Sequence, residues 1–152
     1  MIVGVISDTH DLLRSEAVDA LRGAEAIIHA GDVGDSLILD VLREIAPVTA
    51  VRGNVDRGAL ARELPGTAVV DCAGVLVFVI HNLADLDLNP RIAGFGVVVS
   101  GHTHEPVVRM RDGVLYLNPG SAGPRRFKLP VAVAKLTITD GVPGARIIQL
   151  DV

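Results

Sequence analysis

Aromatic residues are scarce in this chain: they make up 3% of its 152 residues, and tryptophan is absent. Since 49% of the residues are nonetheless hydrophobic, the core has to be built from Val, Ile, Leu and Ala, a composition that favours strands. The single cysteine, Cys72, cannot form an internal disulfide, and its apolar neighbours indicate a small buried side chain. We expect no chemistry from it.

Long apolar runs and clusters of like charge are missing as well. No stretch approaches the roughly 20 apolar residues of a membrane-spanning helix, and Met1 leads straight into a strand-like segment without a basic leader or a cleavage site. The formal net charge of −4 is spread along the chain, which argues against a dedicated nucleic-acid surface. We therefore expect one cytoplasmic domain over residues 1–152, with no membrane segment.

The first third of the sequence alternates strand-like and helix-like segments. Continuous apolar runs predict three buried strands: Ile2–Ile6, Ala26–Ala30 and Val48–Val51. Apolar residues at helical spacing predict a first helix over Leu12–Leu21, with Asp11 as its cap. A second helix is expected to begin at a cap formed by Asp35 or Ser36 and to end at Pro47. This order is typical of parallel strands joined by right-handed crossovers.

Beyond Pro65 the pattern changes to short strands separated by turns. The predicted strands are Thr67–Cys72, Val75–Ile80, Val97–Ser100, Val107–Met110, Val114–Leu117, Val131–Ile138 and Ala145–Leu150. Ala73-Gly74, Asp112-Gly113 and Asp140-Gly141 are hairpin signals, so we expect largely antiparallel pairing, with one helix or loop in Ala84–Gly94. Two sheets packed face to face with helices outside would accommodate all of these segments.

Polar residues follow five of the strand-like runs, at the point where each strand ends. They are Asp8 with His10, Asp32, Asn54, His81, and His102 with His104. Because ligands gather at the carboxyl ends of strands in sheets of this kind, we expect these side chains to converge. Glycines precede three of them (Gly31, Gly53 and Gly101), where a missing Cβ lets the backbone turn sharply and come close to an ion.

The type and number of these side chains point to two metal ions. Oxygen and nitrogen ligands without a thiolate suit Mn, Fe, Ni or Zn. Seven ligands are too many for one ion, whereas two ions roughly 3.5–4 Å apart and bridged by a carboxylate would use them all. Two divalent ions leave the site positively charged despite its two aspartates, so an anionic ester would be attracted and attacked by an activated bridging hydroxide.

Taken together, the five segments resemble the calcineurin-like metallophosphoesterase superfamily in order and approximate spacing, from Asp8 to His104. The chain length and the segment Asn118-Pro119-Gly120-Ser121 make the sequence most similar to the small bacterial and archaeal phosphodiesterase branch. The resemblance implies an α/β fold, a four-layer α-β-β-α sandwich of two mixed sheets flanked by helices. It also implies hydrolysis of a small phosphate ester at a dinuclear metal centre.

The resemblance assigns a ligand set to each of the two divalent ions. The first ion takes Asp8, His10, Asp32 and His104. The second takes Asp32, Asn54, His81 and His102, so that Asp32 bridges the pair. Manganese is the first choice of metal, with Ni²⁺, Zn²⁺ or Fe as alternatives.

The remaining site predictions concern catalysis and substrate binding. The candidate catalytic residues are Asp32, Asn54, His102 and Asp56, and the candidate substrate-binding residues are Asn54 and Arg125. Val55 stands where many relatives carry a histidine that protonates the leaving group or binds the phosphate, and Asn82 stands where glycine is common. Loss of a positioned acid typically costs about 10²–10⁴ in rate, most for poor leaving groups. A phosphodiesterase is therefore favoured over a phosphomonoesterase.

Several residues near the motifs allow a structural role beside a functional one. His29 lies inside a strand, where a buried, hydrogen-bonded histidine would orient a ligand. Asn118 would tie loops together, and Leu83–Leu88 would form a lid or simply pack. Arg125 and Arg126 would bind a phosphate or stay solvated in their loop.

Two other functions compete with phosphodiester hydrolysis. Eukaryotic trafficking complexes contain a scaffold protein that resembles the same small branch, and loss of ligands would be the signature of that role. Here every expected ligand position is filled. A nuclease would need long extra segments for DNA, which this chain lacks. The sequence leaves open whether the chain forms homo-oligomers.

Overall fold

Strands dominate the computed structural model, which describes all residues from 1 to 152. The ten strands are β1 (Ile2–Ile6), β2 (Ala26–His29), β3 (Val48–Ala50), β4 (Thr67–Cys72), β5 (Val75–Ile80), β6 (Val97–Val99), β7 (Val107–Arg111), β8 (Val114–Asn118), β9 (Ala132–Thr139) and β10 (Val142–Gln149). The four α-helices are α1 (Ser15–Leu21), α2 (Leu37–Arg43), α3 (Gly58–Glu63) and α4 (Pro90–Ala93), and a 3₁₀ helix covers Leu83–Asp85. No helix combines the length and the apolar character needed to cross a membrane.

The first sheet contains the β-α-β-α-β unit predicted from the sequence. Its strand order is β10-β9-β1-β2-β3. Strands β1, β2 and β3 pair in parallel, with Val5 opposite Ile28, while β9 runs antiparallel to both β1 and β10. The carboxyl ends of β1, β2 and β3 therefore lie side by side at one edge of the sheet.

The second sheet is mixed and has the strand order β4-β5-β6-β8-β7. The hairpins β4–β5 and β7–β8 are antiparallel, but β6 pairs in parallel with both β5 and β8. Antiparallel pairing thus holds for the hairpins and not for the centre of this sheet, because the chain crosses over between β5 and β6. At the three expected hairpins Ala73, Asp112 and Asp140 have φ values of 50°, 50° and 51° and each precedes a glycine with positive φ, as tight primed turns require.

Three apolar layers confirm the four-layer α-β-β-α sandwich. Between the sheets, β1, β2, β5 and β6 bury aliphatic side chains such as Val5, Ile28 and Val79. Helices α1 and α2 cover the outer face of the first sheet, where Leu21 and Leu42 are buried. The outer face of the second sheet has the thinnest cover, supplied by the 3₁₀ helix and the segments beside it.

The helix boundaries differ from the sequence prediction in three places. Helix α1 begins at Ser15 rather than Leu12, because Asp11 has a left-handed φ of 69° and cannot cap it. Helix α2 ends at Arg43, four residues before the proline expected to stop it. Helix α3 was not predicted, since it buries only Leu60 and so carries little apolar periodicity. Asp35 does act as expected: its Oδ1 accepts the Leu37 N–H at 3.0 Å.

Candidate metal centre

Strand ends from both sheets meet at one edge of the sandwich. The first sheet contributes Asp8 and His10 after β1, Asp32 after β2 and Asn54 after β3; the second contributes His81 after β5, and His102 and His104 after β6. Contacts of 4.0 Å or less link all seven side chains into one cluster. The convergence expected from the sequence is therefore present.

A first group of ligand atoms surrounds one point. Asp8 Oδ1 lies 3.3 Å from His104 Nε2 and 3.5 Å from His10 Nε2, and the two nitrogens are 3.3 Å apart. Nitrogens that share one ion at about 2.0–2.1 Å lie about 3–3.5 Å from each other. Asp8 Oδ1 is one of two buried side-chain polar atoms without a hydrogen-bond partner, which leaves its charge available to a cation; the other, His104 Nδ1, is the ring nitrogen that takes no part in this group. The group fits a cation.

A second group lies beside the first, and both carboxylates approach both groups. Asp32 Oδ2 is 3.1 Å from His81 Nε2 and 3.8 Å from His10 Nε2, while Asp8 Oδ1 is 4.0 Å from His81 Nε2. Asn54 Oδ1 is 2.9 Å from His81 Nε2 and 3.1 Å from His102 Nδ1. Four ligand atoms of the kinds that hold Mn, Zn or Fe thus face one another.

The backbone at the site is strained. Five of the seven residues have left-handed φ values: Asp8 (55°), His10 (45°), Asp32 (55°), His102 (72°) and His104 (64°). A left-handed residue with a Cβ costs roughly 1–2 kcal/mol. Such strain persists where the surrounding structure enforces it, and it clusters at functional sites.

Hydrogen bonds aim one oxygen of each carboxylate at the centre. Asp8 Oδ2 accepts the Ser7 hydroxyl at 2.7 Å and the His102 N–H at 3.0 Å, which leaves Oδ1 for the cluster. Asp32 Oδ1 accepts the Val55 N–H at 2.9 Å, which leaves Oδ2. Each carboxylate is therefore oriented before any metal ion binds.

The tautomer of His81 is fixed in the same way. Its Nδ1 lies 2.7 Å from the Ala30 carbonyl oxygen, which can only accept, so the ring proton is on Nδ1. The lone pair is then on Nε2, which faces the cluster. This is the arrangement that second-layer contacts impose on metal-binding histidines.

Three further polar residues hold the loops that carry the cluster. Asn118 Nδ2 donates to the Gly101 carbonyl at 2.9 Å and to the Thr103 hydroxyl at 3.1 Å, which fixes the loop after β6. Asp56 Oδ1 accepts the N–H of Gly34 and Oδ2 accepts that of Gly53, at 3.0 and 2.9 Å, so Asp56 ties the loop after β2 to the loop after β3. His29 is the third such residue: it is fully buried and bonds to Gly31 and Thr9.

The electrostatics favour ionised carboxylates. Burial alone raises the pKa of Asp8, but the imidazoles of His10 and His104 and the Ser7 hydroxyl outweigh it and hold that pKa far below its usual range. Burial also raises the pKa of Asp32, and here the His81 imidazole and a backbone N–H reverse the effect, so the pKa is lowered.

The pKa values of two histidines are raised, in contrast to those of the carboxylates. The Asp8 carboxylate raises the pKa of His10 despite partial burial, while the positive charge of Arg126 opposes that rise. Burial lowers the pKa of His81, but the Asp32 and Asp8 carboxylates outweigh it and raise the pKa. Protonation of either imidazole therefore competes with metal binding, which requires the neutral ring.

Each ligand group opens onto its own cavity. One cavity of about 540 Å³ lies beside Asn54 and His81, and its other lining residues include Arg52, Phe78, Asn82, Asp85 and Asp87. The second cavity, of about 400 Å³, lies beside His10 and His104 and is otherwise lined by Pro124, Arg125, Arg126 and Phe127.

The remaining predicted residues, Leu83–Leu88 and Arg125, lie in the loops around these cavities. Leu83 packs on the outer core, while Asp85 and Leu88 line the larger cavity, so Leu83–Leu88 both packs and borders the site. The guanidinium of Arg125 donates to the Leu129 and Val152 carbonyls at 3.3 and 2.8 Å.

Sequence reasoning assigned no role to several residues that shape the centre. Ser7 directly precedes Asp8, and the sequence did not predict that its hydroxyl would donate to the Asp8 carboxylate. The Ser121 hydroxyl donates to the Asp8 carbonyl at 3.0 Å, and a Cβ at Gly123 would overlap the Thr9 carbonyl. Neither contact has a signal in the sequence, because both depend on how the loop after β8 packs against the end of β1.

The two mixed sheets thus bring carboxylates, imidazoles and an amide together at their strand ends, in a cluster that contains candidate metal ligands. The chain belongs to the calcineurin-like phosphoesterase superfamily, whose domain model matches residues 1–141. This family uses divalent metal ions, and the cluster described above supplies candidate ligands for them.

Individual relatives agree with this assignment. A probable metallophosphoesterase from Methanocaldococcus jannaschii is 37% identical over 92% of this chain and 77% of the relative. A phosphodiesterase from the same organism is 31% identical over 79% of this chain and 83% of its own length.

Solved structures show the same fold. An archaeal phosphodiesterase superposes with a TM-score of 0.80 at 23% identity, covering 97% of this chain and 100% of the other. A single mutant of Vps29 from Entamoeba histolytica superposes with a TM-score of 0.75 at 22% identity, covering 99% and 100%.

Proposed function

We propose that this chain is a dinuclear metal-dependent phosphodiesterase. The observation that carries the proposal is the position of Asp32 Oδ2, 3.8 Å from His10 Nε2 in one ligand group and 3.1 Å from His81 Nε2 in the other. A carboxylate oxygen between two sets of converging nitrogens suits a bridge between two ions.

The ligand sets that we assign are those implied by the family resemblance: Asp8, His10, Asp32 and His104 for the first ion, and Asp32, Asn54, His81 and His102 for the second. The proximity of Asp8 to His10 and His104, of Asp32 to His81, and of Asn54 to His81 and His102 supports them. Manganese is our first choice, and Ni²⁺, Zn²⁺ or Fe would suit the same donors. When bound, the ions supply an activated water and neutralise charge on the phosphoryl oxygens.

Two features support a diester as the substrate. Each ligand group has its own cavity, so the two ester arms of a diester would each find space. In addition, Val55 offers no proton at the position where many relatives carry a histidine. Because a missing general acid typically costs about 10²–10⁴ in rate with poor leaving groups, diesters with good leaving groups would suffer least.

The structure leads us to refine two of the candidate roles. Since both oxygens of Asp56 accept backbone N–H groups, we assign it to holding the loops rather than to proton transfer. Arg125 is anchored to two carbonyls, whereas Arg126 has no such anchor and lies in the same cavity. We therefore expect Arg126 to contribute more than Arg125 to binding a phosphoryl group.

The test is an assay of chelator-treated protein with a chromogenic phosphodiester and its monoester, after addition of Mn²⁺, Ni²⁺, Zn²⁺, Fe²⁺ or Mg²⁺. We expect metal to restore diester hydrolysis at a higher rate than monoester hydrolysis. Asp32→Asn should abolish the activity, because the shared carboxylate is lost. Asp112→Asn is the matched control, since Asp112 lies in a remote tight turn where asparagine is equally suited.

Other outcomes would point elsewhere. A preference for the monoester would mean that another group replaces the missing histidine. Metal binding without turnover with any of these metals would favour a scaffold role, and oligomeric state would then be the next measurement.

A further inference from the structure

Phe127 is an exposed and strained aromatic residue in a chain with few aromatics. The chain has three phenylalanines, and Phe78 and Phe95 pack against each other with ring centroids 5.0 Å apart. Phe127 is 88% exposed and has a φ of 52°, in the left-handed region that bulky side chains rarely adopt. Neither feature stabilises the folded chain, and strain of this kind is retained mainly where function requires it.

The loop that presents Phe127 is braced on both sides. Before it, the Arg14 guanidinium donates to the Gly123 carbonyl at 3.2 Å. Within it, the Leu129 N–H donates to the Arg126 carbonyl at 3.0 Å, and the side chain of Arg125 reaches the Leu129 and Val152 carbonyls. The backbone that carries the exposed ring is therefore held in place.

The ring also lies at the candidate centre. Phe127 and Arg126 line the same 400 Å³ cavity as His10 and His104, two of the proposed ligands of the first ion. Arg126 brings a positive charge that acts on the His10 imidazole. An occupant of this cavity would meet a flat apolar face, a guanidinium and the metal ligands together.

We propose that this cavity binds one ester arm of the substrate and that this arm carries a planar ring, either a nucleobase or an aryl group. The ring stacks on Phe127, and Arg126 binds a phosphoryl oxygen. The proposal rests on the proposed function and adds its substrate class. The larger cavity offers no comparable ring, because Phe78 is buried there beside Asp85 and Asp87, and it suits a polar arm instead.

The test measures binding to Mn²⁺-loaded protein with two probes that share a phosphonate group: a nucleoside 5′-methylphosphonate and ethyl methylphosphonate. Phe127→Leu should lower the affinity for the nucleoside probe roughly 5- to 100-fold, which is the usual contribution of stacking on one aromatic side chain. The same variant should leave the ethyl probe unchanged. Phe127→Tyr keeps the ring and should retain wild-type affinity for both probes, which shows that the loop tolerates substitution.

Arg126→Ala should lower the affinity for both probes, because both make the phosphonate contact. Equal effects of Phe127→Leu on the two probes, or no effect on either, would overturn the ring site. A different result would contradict the proposed function: wild-type protein that binds the nucleoside probe but hydrolyses no diester with any metal. Conversely, diester hydrolysis without discrimination between the probes would overturn only the ring site.

Discussion

His29 is a single buried residue that connects two ligand-bearing segments. Its Nδ1 accepts the Gly31 N–H at 3.1 Å, so the ring proton of the neutral form lies on Nε2, which is 3.0 Å from the Thr9 hydroxyl. That hydroxyl in turn donates to the Val33 carbonyl at 2.7 Å. Gly31 precedes Asp32, and Thr9 lies between two other proposed ligands. A second proton would have to sit on Nδ1, facing another N–H.

This geometry makes stability depend on pH. Burial lowers the pKa of His29 from 6.5 to about 4. As the pH falls below 6.5, the unfolded chain takes up a proton that the folded chain refuses, so the free energy of unfolding decreases. The slope approaches 1.36 kcal/mol per pH unit only below pH 6.5, so the wild type should lose about 1.5 kcal/mol between pH 6.5 and about pH 5 relative to a chain without this group.

Urea unfolding of chelator-treated wild type and His29→Gln, at neutral and mildly acidic pH, measures the effect. The difference in stability between the two proteins should shrink as the pH falls, since glutamine keeps a donor for Thr9 but does not titrate. Parallel pH dependences would show that His29 is not held neutral by the fold.

At the scale of the element, each loop after a strand brings its ligand close to a neighbouring loop, and glycines make this approach possible. Gly31 has a left-handed φ of 103°, so it supplies the sharp turn expected from the sequence. Gly53 and Gly101 are not left-handed. A Cβ on Gly53 would overlap the backbone N and Oδ1 of Asp32, and one on Gly101 would overlap the Ser7 hydroxyl and the Asp8 carboxylate.

Gly53→Ala should therefore displace Asp32 while leaving the backbone conformation allowed. We expect metal affinity to fall about 10- to 100-fold, the usual effect of disturbing groups that orient ligands, and stability to fall by about 1–3 kcal/mol from overpacking. Gly144→Ala is the matched control, because its Cβ would only reach ordinary contact with Thr137 at 3.6 Å. Titration calorimetry with Mn²⁺ and urea unfolding measure both quantities. Similar behaviour of the two variants would contradict the close-approach explanation.

The elements also show what a sequence can predict. Apolar runs and turn pairs located all ten strands and three tight hairpin turns, because burial and positive φ leave direct traces in residue type. They did not show that β6 pairs in parallel with β5 and β8, since a strand's own pattern reports which faces are buried and not which strands are its neighbours. Helix α3 and the position of Phe127 escaped detection because neither depends on a periodic pattern.

At the scale of the whole molecule, the candidate centre joins the two sheets. Asp8, His10, Asp32 and Asn54 follow strands of the first sheet, and His81, His102 and His104 follow strands of the second. Residue types and their placement after strands predicted this set. The shared position of Asp32 Oδ2 depends on how the sheets pack, which local sequence does not encode. Ions bound here would cross-link the sheets.

Metal should accordingly stabilise both sheets together. At a free metal concentration 100-fold above its dissociation constant, binding to the native state alone adds about 2.7 kcal/mol to the free energy of unfolding. We expect Mn²⁺ to raise the unfolding midpoint of chelator-treated protein and to slow amide hydrogen exchange in β1–β3 and in β5–β6. His81→Ala, which removes a ligand of the second sheet, should reduce the gain, whereas Asp112→Asn should keep it. Protection confined to one sheet would mean that the ions bind ligands of that sheet alone, which would rule out a centre shared between the sheets.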